Sequence, residues 1–170
     1  MNGKFTVISP ELIPDNTIKL IGSDWMLVAA GKKDDYNMMT AAWGGLGYLW
    51  KYPVSFIFVR PQRYTYEFTE KYDHFTLNFF SDRYRKMLSY CGTHSGREVD
   101  KAIECGLTLR ETVNGSVAFN EARMILECKK VYADDIKPGC FLENQLEEVY
   151  PKKDFHRLYI GRIERCLVKA

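Results

Sequence analysis

The chain has 170 residues, 46% of them hydrophobic, 14% aromatic and 27% charged, which is enough apolar material for a packed core and excludes a disordered chain. A net charge of +2, with Lys and Arg scattered among acids, gives no basic field of the kind that sequence-independent nucleic-acid binding needs. No run of about 18 apolar residues occurs, and the opening MNGKFTVISPEL lacks a basic stretch followed by an apolar core, so we expect no membrane contact, no secretion and a cytoplasmic protein.

No Gly/Ser/Pro-rich linker or charge block divides the chain, and one domain is expected over residues 1–170. Short, aromatic-rich apolar segments bounded by Gly, Pro, Asn or Asp predict strands at Trp25 to Ala30, Asn37 to Trp43, Val54 to Arg60, Phe75 to Phe80, Ala122 to Tyr132 and Arg157 to Val168. That spacing predicts a mostly antiparallel barrel rather than βαβ units. Three helices interrupt it. Thr65 is a candidate cap for a segment in which Tyr64, Phe68 and Tyr72 share a face. Ser81 or Asp82 opens a second, with a stripe of Tyr84, Met87, Leu88 and Cys91. Ser95 and Glu98 form a capping box that opens a third, burying Val99, Ala102 and Ile103.

Five widely spaced cysteines without a C-x-x-C pair predict reduced, half-buried thiols, and the three histidines have no convincing metal-ligand spacing, so no metal is expected.

Five places are candidates for chemistry. In NMMTAAWGG a strand runs out into small residues and glycines, which lets a flat group approach the backbone, with the Thr40 hydroxyl, the Ala41 and Ala42 amides and the Trp43 wall to hand. A strand end packed on a neighbouring backbone serves equally well. Arg60 and Arg63 flank a helix start, where a phosphate would find guanidiniums and free amides; solvent or carboxylates would satisfy the same arginines. CGTHSGREVDK repeats the device with Ser95, Gly96 and Arg97, although Ser95 and Glu98 already answer each other there. Asn78 is a polar side chain in an apolar strand and needs partners, from a ligand or from backbone. His156 precedes a strand whose Gly161 again permits close approach.

Read in order, NMMTAAWGG, RPQRYT, FTLNFF, CGTHSGREVDK and HRLYIGRIE resemble the successive motifs of the flavin reductase-like, FMN-binding split-barrel family, in particular its flavoredoxin-like branch. The resemblance implies a mainly β fold with short helices, a six-stranded antiparallel split β-barrel, and a homodimer with FMN near the subunit interface. By position it implies that Met39, Thr40, Ala41, Ala42 and Trp43 line the flavin ring. It makes Arg60, Arg63 and Thr65 the ribityl-phosphate anchors, sets Asn78 and Ser81 near the cofactor, and makes Ser95, Gly96 and Arg97 a second phosphate loop. His156 becomes a contact on the substrate side. The activity implied is transfer of electrons from NAD(P)H through FMN to a second acceptor. The alternative is an electron-transfer flavoprotein served by a redox-protein partner, without nicotinamide turnover.

Overall fold

All six predicted strands form in the computed structural model, which describes residues 4–169; residues 1–3 and 170, the ends of the expected domain, lie outside the described residues. The strands are β1 (Phe5–Ile8), β2 (Met26–Lys32), β3 (Asp35–Ala41), β4 (Gly44–Leu49), β5 (Tyr52–Val59), β6 (His74–Phe79), β7 (Leu109–Glu111), β8 (Val117–Phe119), β9 (Met124–Asp135) and β10 (Arg157–Lys169). The expected six-stranded sheet is corrected to eight strands. The order is β3-β2-β6-β9-β10-β5-β4, β1 pairs with the far end of β10, and β7 and β8 form a separate hairpin. Every pairing is antiparallel.

The two ends of that order, β3 and β4, are consecutive in the chain and joined by Ala42 and Trp43 alone. A link of two residues cannot span a flat seven-strand width at about 4.8 Å per strand, so the sheet rolls until its edges meet. The edges do not pair with each other, which leaves the barrel split. Gly44 lies at this seam, where an added Cβ would stand 2.5 Å from the Phe56 carbonyl oxygen and 3.2 Å from the Met26 methyl.

Rolling divides the apolar residues into two cores. Met26, Val28, Phe75, Leu77, Leu126 and Tyr159 fill the barrel. Leu27, Ala29 and Met38 face outward, under Met87, Leu88 and Cys91 and against Phe119 of β8. With both faces covered, β2 reads as a continuous apolar run rather than an alternating one.

The helices are α1 (Thr17–Lys19), α2 (Thr65–Lys71), α3 (Arg85–Thr93) and α4 (Lys101–Glu104). Three expected starts are corrected. Thr65 lies inside α2, and Tyr64 takes the capping position. Ser81 stands at the head of a short 3₁₀ turn that leads into α3 but makes no side-chain cap. The Ser95/Glu98 box does not form: Ser95 Oγ accepts from the Arg97 amide in a local turn, and α4 starts six residues later. Asp100 caps it, accepting from the amides of Ala102 and Ile103. The shift rotates the helix, so Ile103 is 77% exposed while Lys101 turns inward.

Candidate cofactor cleft

Two adjoining hollows of about 230 and 170 Å³ open beside the β3–β4 seam and share Met39 and Arg63 as common walls. The first is bordered by Met39 to Trp43, by Phe58 and Arg60 at the end of β5, by Gly92 and by His156. Asn37, Arg63, Thr65, Ser95, Gly96 and Lys101 are prominent around the second. Eleven of the fourteen residues singled out by sequence therefore bear on one cleft or its lip, the exceptions being Asn78, Ser81 and Arg97.

The first hollow is thin-walled and aromatic. Thr40 donates its hydroxyl to the Leu88 carbonyl, tying β3 to α3, and Ala41 and Ala42 add little bulk. Trp43 is half-exposed at the mouth and leans on His156 with ring centroids 4.9 Å apart. His156 is buried, 2.9 Å from the Tyr150 hydroxyl through Nδ1 and edge-on to Phe58. Burial, helped by the nearby Arg60 charge, pulls its pKa down to about 4, so the imidazole is neutral at pH 7.

Arg60 sits at this end and not beside Thr65. Its guanidinium donates to Asp154 at 2.7 Å and to the Val149 carbonyl at 3.1 Å, and it stacks on Tyr150. Its hydrogen bond, with smaller contributions from a backbone hydrogen bond and from Gln62, holds the Asp154 carboxyl below the usual carboxylate range. This cluster pins the segment before β10 against the cleft, and so fixes His156.

The second hollow collects positive charge. Arg63 donates to the Gly92 carbonyl at 2.8 Å, and burial lowers its pKa from the ordinary arginine value. Lys101 is 4% exposed and donates to the carbonyls of Met38 and Cys91. Burial, and secondarily repulsion from Arg63 against the opposing pull of Cys91, lowers the Lys101 pKa to about 8. No carboxylate is paired with Lys101 or Arg63 among the described residues. The Thr65 hydroxyl and the Asn37 amide nitrogen, both on this wall, are buried without a hydrogen-bond partner. Unpaired polar groups of this kind cost about 1–3 kcal/mol each unless something fills the space.

Three expected site residues lie elsewhere. Asn78 is fully used inside: its amide donates to the Leu27 carbonyl and the Thr76 hydroxyl, and its oxygen accepts from the Phe119 amide. Ser81 is exposed at the head of its 3₁₀ turn. Arg97 pairs with Glu67 and stacks on Tyr64, 4.5 Å from the ring centroid, on the outer side of the loop. Sequence reasoning missed Asn37, Phe58, Gly92 and Lys101. Asn37 and Lys101 are the first and last residues of two of the motifs, but only the true start of α4 reveals which way Lys101 points.

The glycines serve packing. A Cβ added at Gly45 or Gly47 would stand 3.4 Å from the Phe56 ring, and one at Gly161 would run into Phe75 and Cys128, so the flat groups near them are the protein's own. Among the described residues no cluster of His, Cys, Asp and Glu is placed to hold a metal ion, and no helix is long and apolar enough to cross a membrane.

A family model described as the flavin reductase like domain matches residues 19–170. The chain is similar to the FMN-binding domain of a flavin reductases-like enzyme from Shewanella baltica OS155, at 17% identity over 99% of this chain and 79% of that one, with a TM-score of 0.72. It is also similar to flavoredoxin of Desulfovibrio vulgaris (Miyazaki F), at 22% identity over 95% and 77% of the two chains, TM-score 0.68. An FMN-binding protein from Thermus thermophilus with bound p-hydroxybenzaldehyde matches at 20% identity over 84% and 69%, TM-score 0.67. No curated protein sequence matches the chain.

Proposed function

The chain belongs to the flavin reductase like family, and on that premise we propose that it is an oxidoreductase that binds FMN non-covalently in the cleft beside the β3–β4 seam. It takes electrons from NAD(P)H and passes them to a second acceptor such as free flavin or a ferric complex. The observation that carries this reading is the pair of unpartnered buried groups, Thr65 Oγ1 and Asn37 Nδ2, beside two cations that no carboxylate among the described residues neutralises. A phosphate answers all four at once, because its oxygens accept from the hydroxyl, the amide, the guanidinium and the ammonium. The residues present therefore fit a phosphorylated, planar ligand.

Arg63, Thr65, Lys101, Asn37 and the Ser95–Gly96 turn would hold the phosphate end, and Met39 to Trp43 with Phe58 would flank the ring. Arg60 then serves as a brace for His156 through Asp154 rather than as a phosphate ligand, and Arg97 braces the loop through Glu67. When bound, FMN supplies the electron-transfer chemistry, and the protein has to position it and set the polarity around it. His156 contributes a neutral imidazole, oriented by the hydrogen bond between its Nδ1 and the Tyr150 hydroxyl. Trp43 narrows the mouth and limits water.

Titration of the purified protein with FMN should quench flavin fluorescence with one site per chain; no quenching would overturn the reading. Stopped-flow mixing of the FMN-loaded protein with NADH and with NADPH should bleach the flavin absorbance within seconds for at least one of them. Bleaching slower than minutes with both would leave the electron-transfer flavoprotein with a redox-protein partner in place of the nicotinamide reductase.

A further inference from the structure

Beneath the cation end of the cleft, on the outer face of the sheet, lies a group of sulfur atoms that the proposed chemistry does not use. The Sγ atoms of Cys91 and Cys105 are 3.9 Å apart, and the Met87 sulfur is 3.9 Å from that of Cys91. Both cysteines are free thiols; Cys91 is buried at the end of α3 and Cys105 is half-buried at the end of α4. Two thiols in van der Waals contact need to close by about 1.9 Å to reach the bonded distance of about 2.05 Å. α4 is a helix of four residues, and Gly106, at φ +62, follows Cys105 directly, so a small shift there is open to the chain.

The stretch between the two cysteines is the cation-bearing wall of the cleft. It contains Gly92, whose carbonyl receives Arg63, then Ser95 and Gly96, then Lys101. Cys91 also offers its own carbonyl to Lys101. We propose that Cys91 and Cys105 form a reversible disulfide that staples the two ends of this loop. With a peroxide as oxidant, the more accessible Cys105 sulfur, as thiolate, attacks one peroxide oxygen; the O–O bond breaks, Cys105 becomes a sulfenic acid and the other oxygen leaves as water. The Cys91 thiol then displaces the hydroxyl as a second water and the S–S bond forms. In sum, two thiols are oxidised and one peroxide is reduced to two waters. Burial pushes the Cys91 thiol up to about 12 and raises that of Cys105, so the pair is slow to react and calls for peroxide in excess.

The test uses the full chain without added flavin, in a Cys140→Ser background that removes the exposed thiol. After peroxide treatment, intact mass should fall by about 2 Da per chain, and peptide mapping should link the Cys91 and Cys105 peptides, with dithiothreitol restoring both. Cys105→Ser should abolish the link. Arg97, in the middle of the loop, reports on the staple: trypsin should cut after it at least tenfold more slowly in the oxidised protein, because cleavage needs the loop to open. Over-oxidation of Cys105 with Cys91 left unlinked would overturn the proposal, and so would equal cleavage rates in the linked and reduced forms. Neither readout involves flavin, so the result stands apart from that of the FMN titration.

Discussion

Lys101 carries a charge into the interior with only backbone carbonyls to receive it. Its pKa of about 8 lies below the ordinary lysine value, so between roughly pH 8 and 10.5 the folded chain holds fewer protons than the unfolded one. For a free protein, this group therefore adds stability as pH rises through that window and is a cost below it. An anion in the cleft reverses the preference by rewarding the charged form. FMN affinity should thus fall as pH rises above about 8, and Lys101→Met should bind FMN more weakly yet melt at a higher temperature when empty. Fluorescence titrations between pH 6 and 10, with melting curves of both proteins, check this; an affinity flat with pH in the parent chain would refute it. The two arginines are also separable. Arg63→Ala should weaken FMN binding by about 1.5–3 kcal/mol, the range for a charge-assisted hydrogen bond, whereas Arg60→Ala, already committed to Asp154, should lose less. Dissociation constants in the opposite order would exchange their roles.

Two strands decide where the cleft lies, and they differ in how plainly the sequence announces them. β3 was legible in the sequence as an apolar segment, and its small-residue exit identified the wall. β4 was not, because three of its first four residues are glycine and its turn into β5 uses Trp50 and Lys51 at positive φ, where Asn and Gly would have signalled a hairpin. Along β10, Gly161 is set at a register shift against β9, where an added Cβ would be 2.5 Å from the Phe75 ring and 2.9 Å from Cys128. Gly161→Ala should therefore destabilise the barrel by about 1–3 kcal/mol through overpacking. Gly139→Ala, which meets nothing within 4 Å, is the control, and matched urea melts of the two variants would decide the point.

At the scale of the whole molecule, the outer surface carries large apolar side chains near the β4–β5 hairpin. Tyr48 is 66% and Trp50 50% exposed, and Tyr132 lies tilted against Trp50 with ring centroids 6.2 Å apart. Contiguous exposed aromatics of this kind mark association surfaces, which supports the homodimer expected from the family resemblance. Light scattering coupled to size exclusion should give twice the chain mass at micromolar concentration, and Trp50→Glu should shift the protein toward monomer. A parent chain that elutes as a monomer at all concentrations would remove the proposal.

What the sequence determined by itself was the period-two and continuous apolar runs that become strands, and the small, cationic and glycine-bearing stretches that come to border one cleft. Those properties are local, fixed by side-chain size, charge and backbone freedom, and so can be read in order along the chain. The tertiary structure decided how many strands share the sheet, which way Lys101 faces, and which arginine is left without a carboxylate partner among the described residues. Each of these depends on a partner distant in the chain: β4 is a strand because β5 pairs with it, Arg60 is occupied because Asp154 reaches it from 94 residues away, and Asn78 is satisfied by backbone from β2 and β8. A polar side chain's availability to a ligand is the remainder after its internal hydrogen bonds are made, and only the folded chain reveals that remainder.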